Sequence, residues 1–596
     1  MADSPAAHSD GVVTCTIRSN GAEIGNDIQL LSLQVCKRVN HIARAELVMM
    51  DGDMPQNRFP LSSGSLFKPG NSLTIAAGYA SQEQRLFEGI IIRHGISIGG
   101  GGHSRLVIEC RDNAIGMTVA RRNDNYLKQK DSDLLSRLIG RCAGVSARVD
   151  TTHTQHDELV QFNCTDWDFL LARAEANGLV VCNDDNTVAV TAPTLNASPV
   201  LTVTYGDDLI SLTADIDARH QFTSVTGVGW DIKNQQPLQE KAAAQSVSRQ
   251  GNLSADELAQ VLRLTEYRLQ SATPLAGTAL RDWARGQQVK SALSRLRGTL
   301  TCQGCARARI NTLIALAGVG TRFNGHLYVS GVRHHIQDGQ WLTHIDFGMP
   351  PVWSAEHRDL TPPPAAGLLP GVDGLQIGIV KKLDGDPQQQ HRVQVSVPVM
   401  QAENDGVWAR LASYYASTGI GAQFMPEVGD EVVLGYFNNN PSDPVILGSL
   451  YSSKNPPPVT PDAKNTLKTL MTRSQLTLQF NEEDKAITLT TPGGNQAVLS
   501  DKGKTVTLQD QNGNRVTLDS SGITLDSPKN ITLNAKGNLE LTAGRAINIS
   551  AKADVTAEGM NVSLSAKTGL TAKGTATAEL SASGQTVVKG GIVMIN

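Results

Sequence analysis

Short alternating runs of apolar and polar residues dominate this chain, and helical spacing is confined to a few stretches of its first ~350 residues. Leu86–Ile92 and Leu106–Cys110 read as two strands joined through the glycine run 99–102. Leu134, Leu135, Leu138, Ile139 and Cys142 share one helical face, with a cap expected at Asp131 or Ser132 and a stop at Gly144. Thr165-Asp-Trp-Asp168 opens a second helix that turns Phe169, Leu170 and Ala174 inward and ends at Asn177-Gly178. The runs 179–182 and 188–190 flank a turn at 183–186 and predict a hairpin. Ser254-Ala-Asp-Glu257 is a capping box, and a fourth helical pattern runs from about Leu280 to Arg297. Strands return at His326–Val332 and Trp341–Phe347, around the turn Asp338-Gly339.

These runs predict an α+β body over 1–355 and a proline-rich linker over 356–372 that contains Pro362-Pro-Pro364. Over 373–455, alternating strands at 375–379, 393–397, 407–411, 431–437 and 444–450 predict a small closed barrel of the OB type. A neck follows over 456–474 and a repetitive segment over 475–596. The last of these has no aromatic residue, histidine or cysteine from Asn481 onward, which is unlike an ordinary globular core. It is built of apolar–polar–apolar triplets such as Val506-Thr-Leu508, Val516-Thr-Leu518 and Ile523-Thr-Leu525. From 523 the triplets start at 531, 539 and 547, a beat near eight, with glycine, asparagine, serine and lysine between them. Coils this short offer one or two inward side chains, so one chain cannot enclose a core. Three chains wound about one axis can, which predicts an intertwined trimeric β-helix and therefore a homotrimer. The fold class is mainly β with an α+β N-terminal body.

Composition narrows the chemistry. A formal net charge of −4 gives no reason to expect nucleic acid as a partner. No basic-then-apolar start and no run of about 18 apolar residues occurs, so neither a signal peptide nor a spanning helix is expected. The eight cysteines are scattered, as in proteins made in a reducing cytoplasm. Cys302-Gln-Gly-Cys305 is a lone pair without the further ligands a zinc site needs. His334 and His335, adjacent in a strand, point to opposite faces. Neither phosphate-loop nor dinucleotide spacing accompanies the glycine run, and no serine-hydrolase or zincin motif is present. No catalytic residue, metal or cofactor is expected. The competing class is a trimeric carbohydrate-active tail-fibre enzyme, which would need carboxylate pairs in an aromatic-lined groove.

The stretch 424–437, FMPEVGDEVVLGYF, followed by 440–451, NPSDPVILGSLY, resembles the barrel of VgrG spike proteins of phage-tail-like contractile injection systems. Residues 161–179 and 318–347 resemble phage late control protein D and contractile-tail hub domains. The ending, 579–596, resembles spikes of extracellular, phage-derived injection particles, with the type VI secretion form close by. The resemblance implies a trimer whose hub domains, each with two barrel-like halves, join the six-fold inner tube's ring protein and baseplate proteins to a needle. It also implies a PAAR-repeat cone on the needle's far end, assembly in the bacterial cytoplasm, and passage through a target membrane when the sheath contracts. The candidate partner-binding residues at the tip are Ile592, Val593, Met594, Ile595 and Asn596, an apolar cluster with no charged residue after Lys589.

Overall fold

The computed structural model describes residues 3–5, 11–25, 27–100, 103–357, 360–401 and 406–595. The chain divides into two compact units, Met1–Leu450 and Tyr451–Asn596.

In the first unit, alternation in Leu30–Arg38 turns Leu33 and Val35 inward and leaves polar neighbours outside. On one side this strand leads through Arg44–Met50, Ser104–Arg111, Gln82–Ile98 and Ser72–Tyr79 to Val13–Ser19, all antiparallel. Leu47, Met49, Leu73, Ile75, Phe87 and Ile108 close the first core there. On its other side it pairs with Gly325–Gln337, and then come Gln340–Phe347, Leu296–Gln303 and Leu209–Ile216. Leu300, Ile314, Leu327, Tyr328, Val329 and Ile345 form the second core. Two cores thus lie along one thirteen-stranded sheet. The hairpin expected around the glycine run is present, although Gly101 and Gly102 lie outside the described residues.

A third core holds helices Asp131–Gly140 and Asp166–Ala176 against the hairpin Val180–Asp184/Thr187–Thr191. Its turn places Asp185 and Asn186 at φ 48° and 63°, as a two-residue hairpin turn of the primed type requires. Thr165 caps its helix by accepting from the Asp168 N–H, and Ser254 and Glu257 form the complete capping box. The first helix departs from the expected cap. Its N-cap is Lys130, which makes no side-chain bond. Thr152 Oγ1 instead accepts from the Ser132 N–H at 2.9 Å, and Asp131 is drawn into a buried ion cluster. A cap supplied from twenty residues away leaves no local signal.

The chain leaves this body under a strap of polar bonds. Lys290 Nζ donates to the Val352 carbonyl at 2.9 Å and to Glu175 at 2.8 Å, while its ammonium sits 4.9 Å from the Trp353 ring centre. Trp353 Nε1 donates to Gln287 at 2.7 Å, and the Ser354 N–H donates to Glu175 at 2.7 Å. Beyond the linker, Gln376–Lys382, Val393–Ser396, Val407–Leu411, Pro444–Ser449 and Glu431–Tyr436 close a five-stranded barrel around Val380, Val393, Val395, Ala409, Val432, Leu434 and Ile446.

The second unit opens with seven five-residue strands, Leu467–Met471, Thr477–Asn481, Ala486–Thr490, Gln496–Ser500, Thr505–Gln509, Arg515–Asp519 and Gly522–Asp526, in one antiparallel meander. This corrects the reading of the Val506 and Val516 triplets as successive coils. Up to 516 the triplets start at 478, 487, 497 and 506, steps of nine and ten, which leave room for reversing turns. The turns reverse the chain because Thr491 and Asp510 accept with their side chains from Asn495 and Asn514, four residues on. The step from 516 to 523 is seven and still reverses the chain, from 523 onward the step is eight, and among the described residues no strand follows Asp526.

Candidate oligomerisation face

Strand register in the meander stacks apolar side chains into two columns. Leu470, Leu478, Leu489, Ala497, Leu508, Val516 and Leu525 are successive cross-strand partners. Phe480, Ile487, Leu499, Val506, Leu518 and Ile523 form the neighbouring column in the same way. Residues two apart in a strand share a face, so both columns lie on one side of the sheet. The column between them, on the opposite side, reads Thr469, Gln479, Thr488, Val498, Thr507, Thr517 and Thr524. Cross-strand apolar pairs of this kind stabilise a sheet by about 0.2–1 kcal/mol each. The face they create is uncovered within one chain: Leu508 is 51% and Leu525 53% exposed. Leu470, Leu478, Leu489, Leu508, Val516 and Leu525 line a single groove.

Past the meander exposure is complete. Every described residue from 528 to 595 is exposed, including the triplet residues Ile531, Leu539 and Ile547. The tip residues follow suit: Ile592, Met594 and Ile595 are 84–92% exposed and Val593 48%, while Asn596 lies outside the described residues. An extended backbone with bare apolar side chains lacks both a core and a hydrogen-bonded ladder of its own.

The groups that could suggest chemistry are packed into the first unit. Cys302 is fully buried, and burial pushes its thiol up to about 12; the Cys305 thiol is raised for the same reason. Such thiols stay protonated and unreactive at neutral pH. Among the described residues no group of three or more His, Cys, Asp and Glu side chains is arranged to hold a metal. Asp131, 1% exposed, accepts from Arg173 at 2.7 and 2.8 Å and from Asn177 at 2.9 Å, with His156 Nε2 2.9 Å away. Burial alone would raise this carboxyl, but the bonds from Arg173, His156 and Asn177 outweigh it and hold the group well below the usual carboxylate range. The cluster ties the helix at 131 to the helix at 166.

His334 is buried and His335 only partly so, as opposite strand faces require. His334 Nδ1 lies 3.0 Å from Thr343 Oγ1, and the ring packs against Trp341. Burial, with a smaller contribution from Lys37, lowers its pKa from 6.5 to about 3. The neutral imidazole therefore contributes stability that is complete above pH 6.5 and is lost as pH falls toward 3. Relative to His334→Gln, the wild-type body should lose about 1.4 kcal/mol per pH unit across that window, measured by urea unfolding at stepped pH.

Comparison with known proteins places these elements. Residues 9–338 match the family described as the Alg8 N-terminal domain, more than half of the chain. The chain belongs to that family. Residues 376–451 match the type VI secretion system/phage-baseplate injector OB domain, which begins at the first barrel strand. Residues 486–596 match the phage baseplate V C-terminal trimerisation domain, which begins at the third strand of the meander. Two further matched domains, an injector OB domain and a trimerisation domain, thus follow the family's N-terminal part in a mainly β chain. The actin cross-linking toxin VgrG1 of Vibrio cholerae is 30% identical over 127 residues, 20% of this chain. The type VI secretion system spike protein VgrG5 of Pseudomonas aeruginosa is 34% identical over 110 residues, 17% of this chain. These matches span only 12% and 13% of the curated relatives' own lengths. Among solved structures, the 43 kDa tail protein of prophage MuSo2 from Shewanella oneidensis aligns over 57% of this chain and 98% of its own at 13% identity, with a TM-score of 0.42.

The sequence reading found the barrel and the triplets and began the repetitive segment at 475, so it left out Leu470 and the first meander strand, Leu467–Met471. The signal was present in Leu478-Gln-Phe480 and Ile487-Thr-Leu489, triplets of the same kind at a longer step.

Proposed function

We propose that the chain is the central spike of a phage-tail-like contractile injection system, acting mechanically rather than as an enzyme. The observation that carries the reading is the pair of unbroken apolar columns continued by a fully exposed, apolar-triplet segment, within a chain that matches a trimerisation domain. Three copies supply one another's core: each buried Val, Ile or Leu contributes roughly 1.5–3 kcal/mol before entropy. In this reading residues 1–355 are a hub resembling phage late control protein D, and they receive the inner tube's ring protein and the baseplate proteins. The barrel at 373–455 and a neck at 456–474 link it to the needle at 475–596. The spike is assembled in the bacterial cytoplasm and crosses the target membrane when the sheath contracts.

Ile592, Val593, Met594, Ile595 and Asn596 form the docking face for a small three-fold cone of the PAAR-repeat type. Three copies of this stretch gather apolar side chains that are exposed in the single chain, and no charge lies between Lys589 and Asn596. Such a cone would cover the side chains and accept the open backbone edges. Removing residues 591–596 should abolish co-purification of a PAAR-repeat protein while native mass spectrometry still reports the trimer. Undiminished binding after that deletion would rule out this docking face.

A further inference from the structure

We propose that the cleft bordered by the hairpin Val180–Asp184/Thr187–Thr191 takes an extended acidic segment of a partner protein, which adds as a further strand on the open edge of Ser146–Val149. The site is complete within one chain, so it stands apart from the trimer reading. Ser146–Val149 pairs in parallel with Thr187–Thr191 and is the last strand of its three-stranded sheet. The sheet's other edge is closed: the Asn40 N–H donates to the Val181 carbonyl at 2.7 Å, and Asn40 Oδ1 accepts from the Val181 N–H at 2.9 Å. Among the described residues no strand covers the outer side of Ser146–Val149.

Backbone bonding shows which groups are open. The Ser146 N–H donates to the Asn186 carbonyl and the Asp150 N–H to the Val190 carbonyl, both at 2.8 Å. In a parallel ladder alternate residues bond to the same neighbour. Arg148 therefore also bonds inward, and the N–H and C=O groups of Ala147 and Val149 point away from the sheet. Ala147 is exposed, so water is the only cover its outward groups have in the single chain. Such an edge receives an added strand through main-chain bonds, while side-chain chemistry selects which strand it is.

Charge makes that selection. Arg148 and its cross-strand partner Ala189 line a cleft of about 890 Å³. Four cationic side chains, Lys37, Arg85, Arg148 and Arg309, stand in its lining against two aspartates, Asp184 and Asp185. The aspartates are already taken: Lys37 bonds to both, and Arg85 Nε donates to Asp185 at 2.8 Å. Arg148 and Arg309 are exposed and have no carboxylate partner among the described residues. On the strand's other face Val149 packs against the third core. An added strand that alternates acidic residues on the cleft side with apolar residues on the other side meets both surfaces. The same edge of a second copy would bring another Arg148, and like charges set opposite each other disfavour that pairing.

The test uses the full chain and a short fluorescent peptide of alternating glutamate and valine. By anisotropy the peptide should bind saturably, one per chain, and more weakly as salt rises. Arg148→Ala and Arg309→Ala should each weaken it about fivefold. A peptide of alternating lysine and valine should not bind. Methylating one alternate set of the peptide's backbone nitrogens should abolish binding, and methylating the other set should spare it, because only one set faces the edge. In hydrogen exchange the Ala147 and Val149 amides should be fast in the chain alone and slow with the peptide, with Ser146 and Arg148 slow throughout. Absence of binding by the glutamate–valine peptide, equal binding of the lysine–valine peptide, undiminished binding by both arginine variants, or equal binding of the two methylated peptides would overturn the proposal. Protection of the Ala147 amide without peptide would also overturn it, since a second copy would then already cover the edge.

Discussion

Ile547→Asp is expected to leave the protein unassembled at concentrations where the wild type is fully trimeric. In the proposed needle Ile547 is one of three equivalent side chains directed at the common axis, and it is exposed in the single chain. The substitution removes three isoleucines from the shared core, about 1.5–3 kcal/mol each. It also places three carboxylates near one another. At ~5 Å and an effective dielectric near 20, each pair repels by roughly 3 kcal/mol. Burying the charges costs several kcal/mol more, unless they become protonated. Light scattering should report monomers, while far-ultraviolet circular dichroism shows the hub and barrel strands still folded. Asn548→Asp, beside it on the polar position of the triplet, should assemble normally. A trimer of undiminished stability for Ile547→Asp would place that side chain outside the core.

Asp131→Ala should be the most damaging single change in the hub. The carboxylate is buried and accepts two bonds from Arg173, which is itself only 21% exposed, and one from Asn177. Without it a mostly buried guanidinium loses its counter-charge, and removing one partner of such a pair costs about 3 kcal/mol or more. The effect should appear as an earlier urea midpoint for the hub, with the trimer's mass unchanged because the needle is untouched. Asp131→Asn keeps the shape and one acceptor, so it should cost less. Equal midpoints for wild type and Asp131→Ala would mean that the cluster adds nothing to the fold.

Much of the architecture was legible because local signals and tertiary packing agreed. The barrel strands, the Thr165 cap, the Ser254 capping box and the Asp185-Asn186 turn each carry their chemistry within a few neighbouring residues. What escaped was set by partners distant in sequence. Thr152 caps the helix that Asp131 or Ser132 was expected to cap, and Asp131 serves Arg173, forty-two positions away. The meander escaped for a different reason. Its triplets look like those of the following segment, and the step between them does not separate the two cleanly: it is nine or ten up to 516 and eight from 523, but the seven-residue step from 516 to 523 also reverses the chain. The columns at Leu470 and Phe480 exist only once the register is known, so no local pattern could name them as one face.

The most direct test of the central claim is the native mass of the intact, unmodified chain. A subunit of 63.6 kDa should appear as a single species near three times that mass, with no monomer at micromolar concentration. A folded, stable monomer whose amides in 531–595 are protected from exchange would contradict the account, because those residues would then have found their core and hydrogen bonds within one chain.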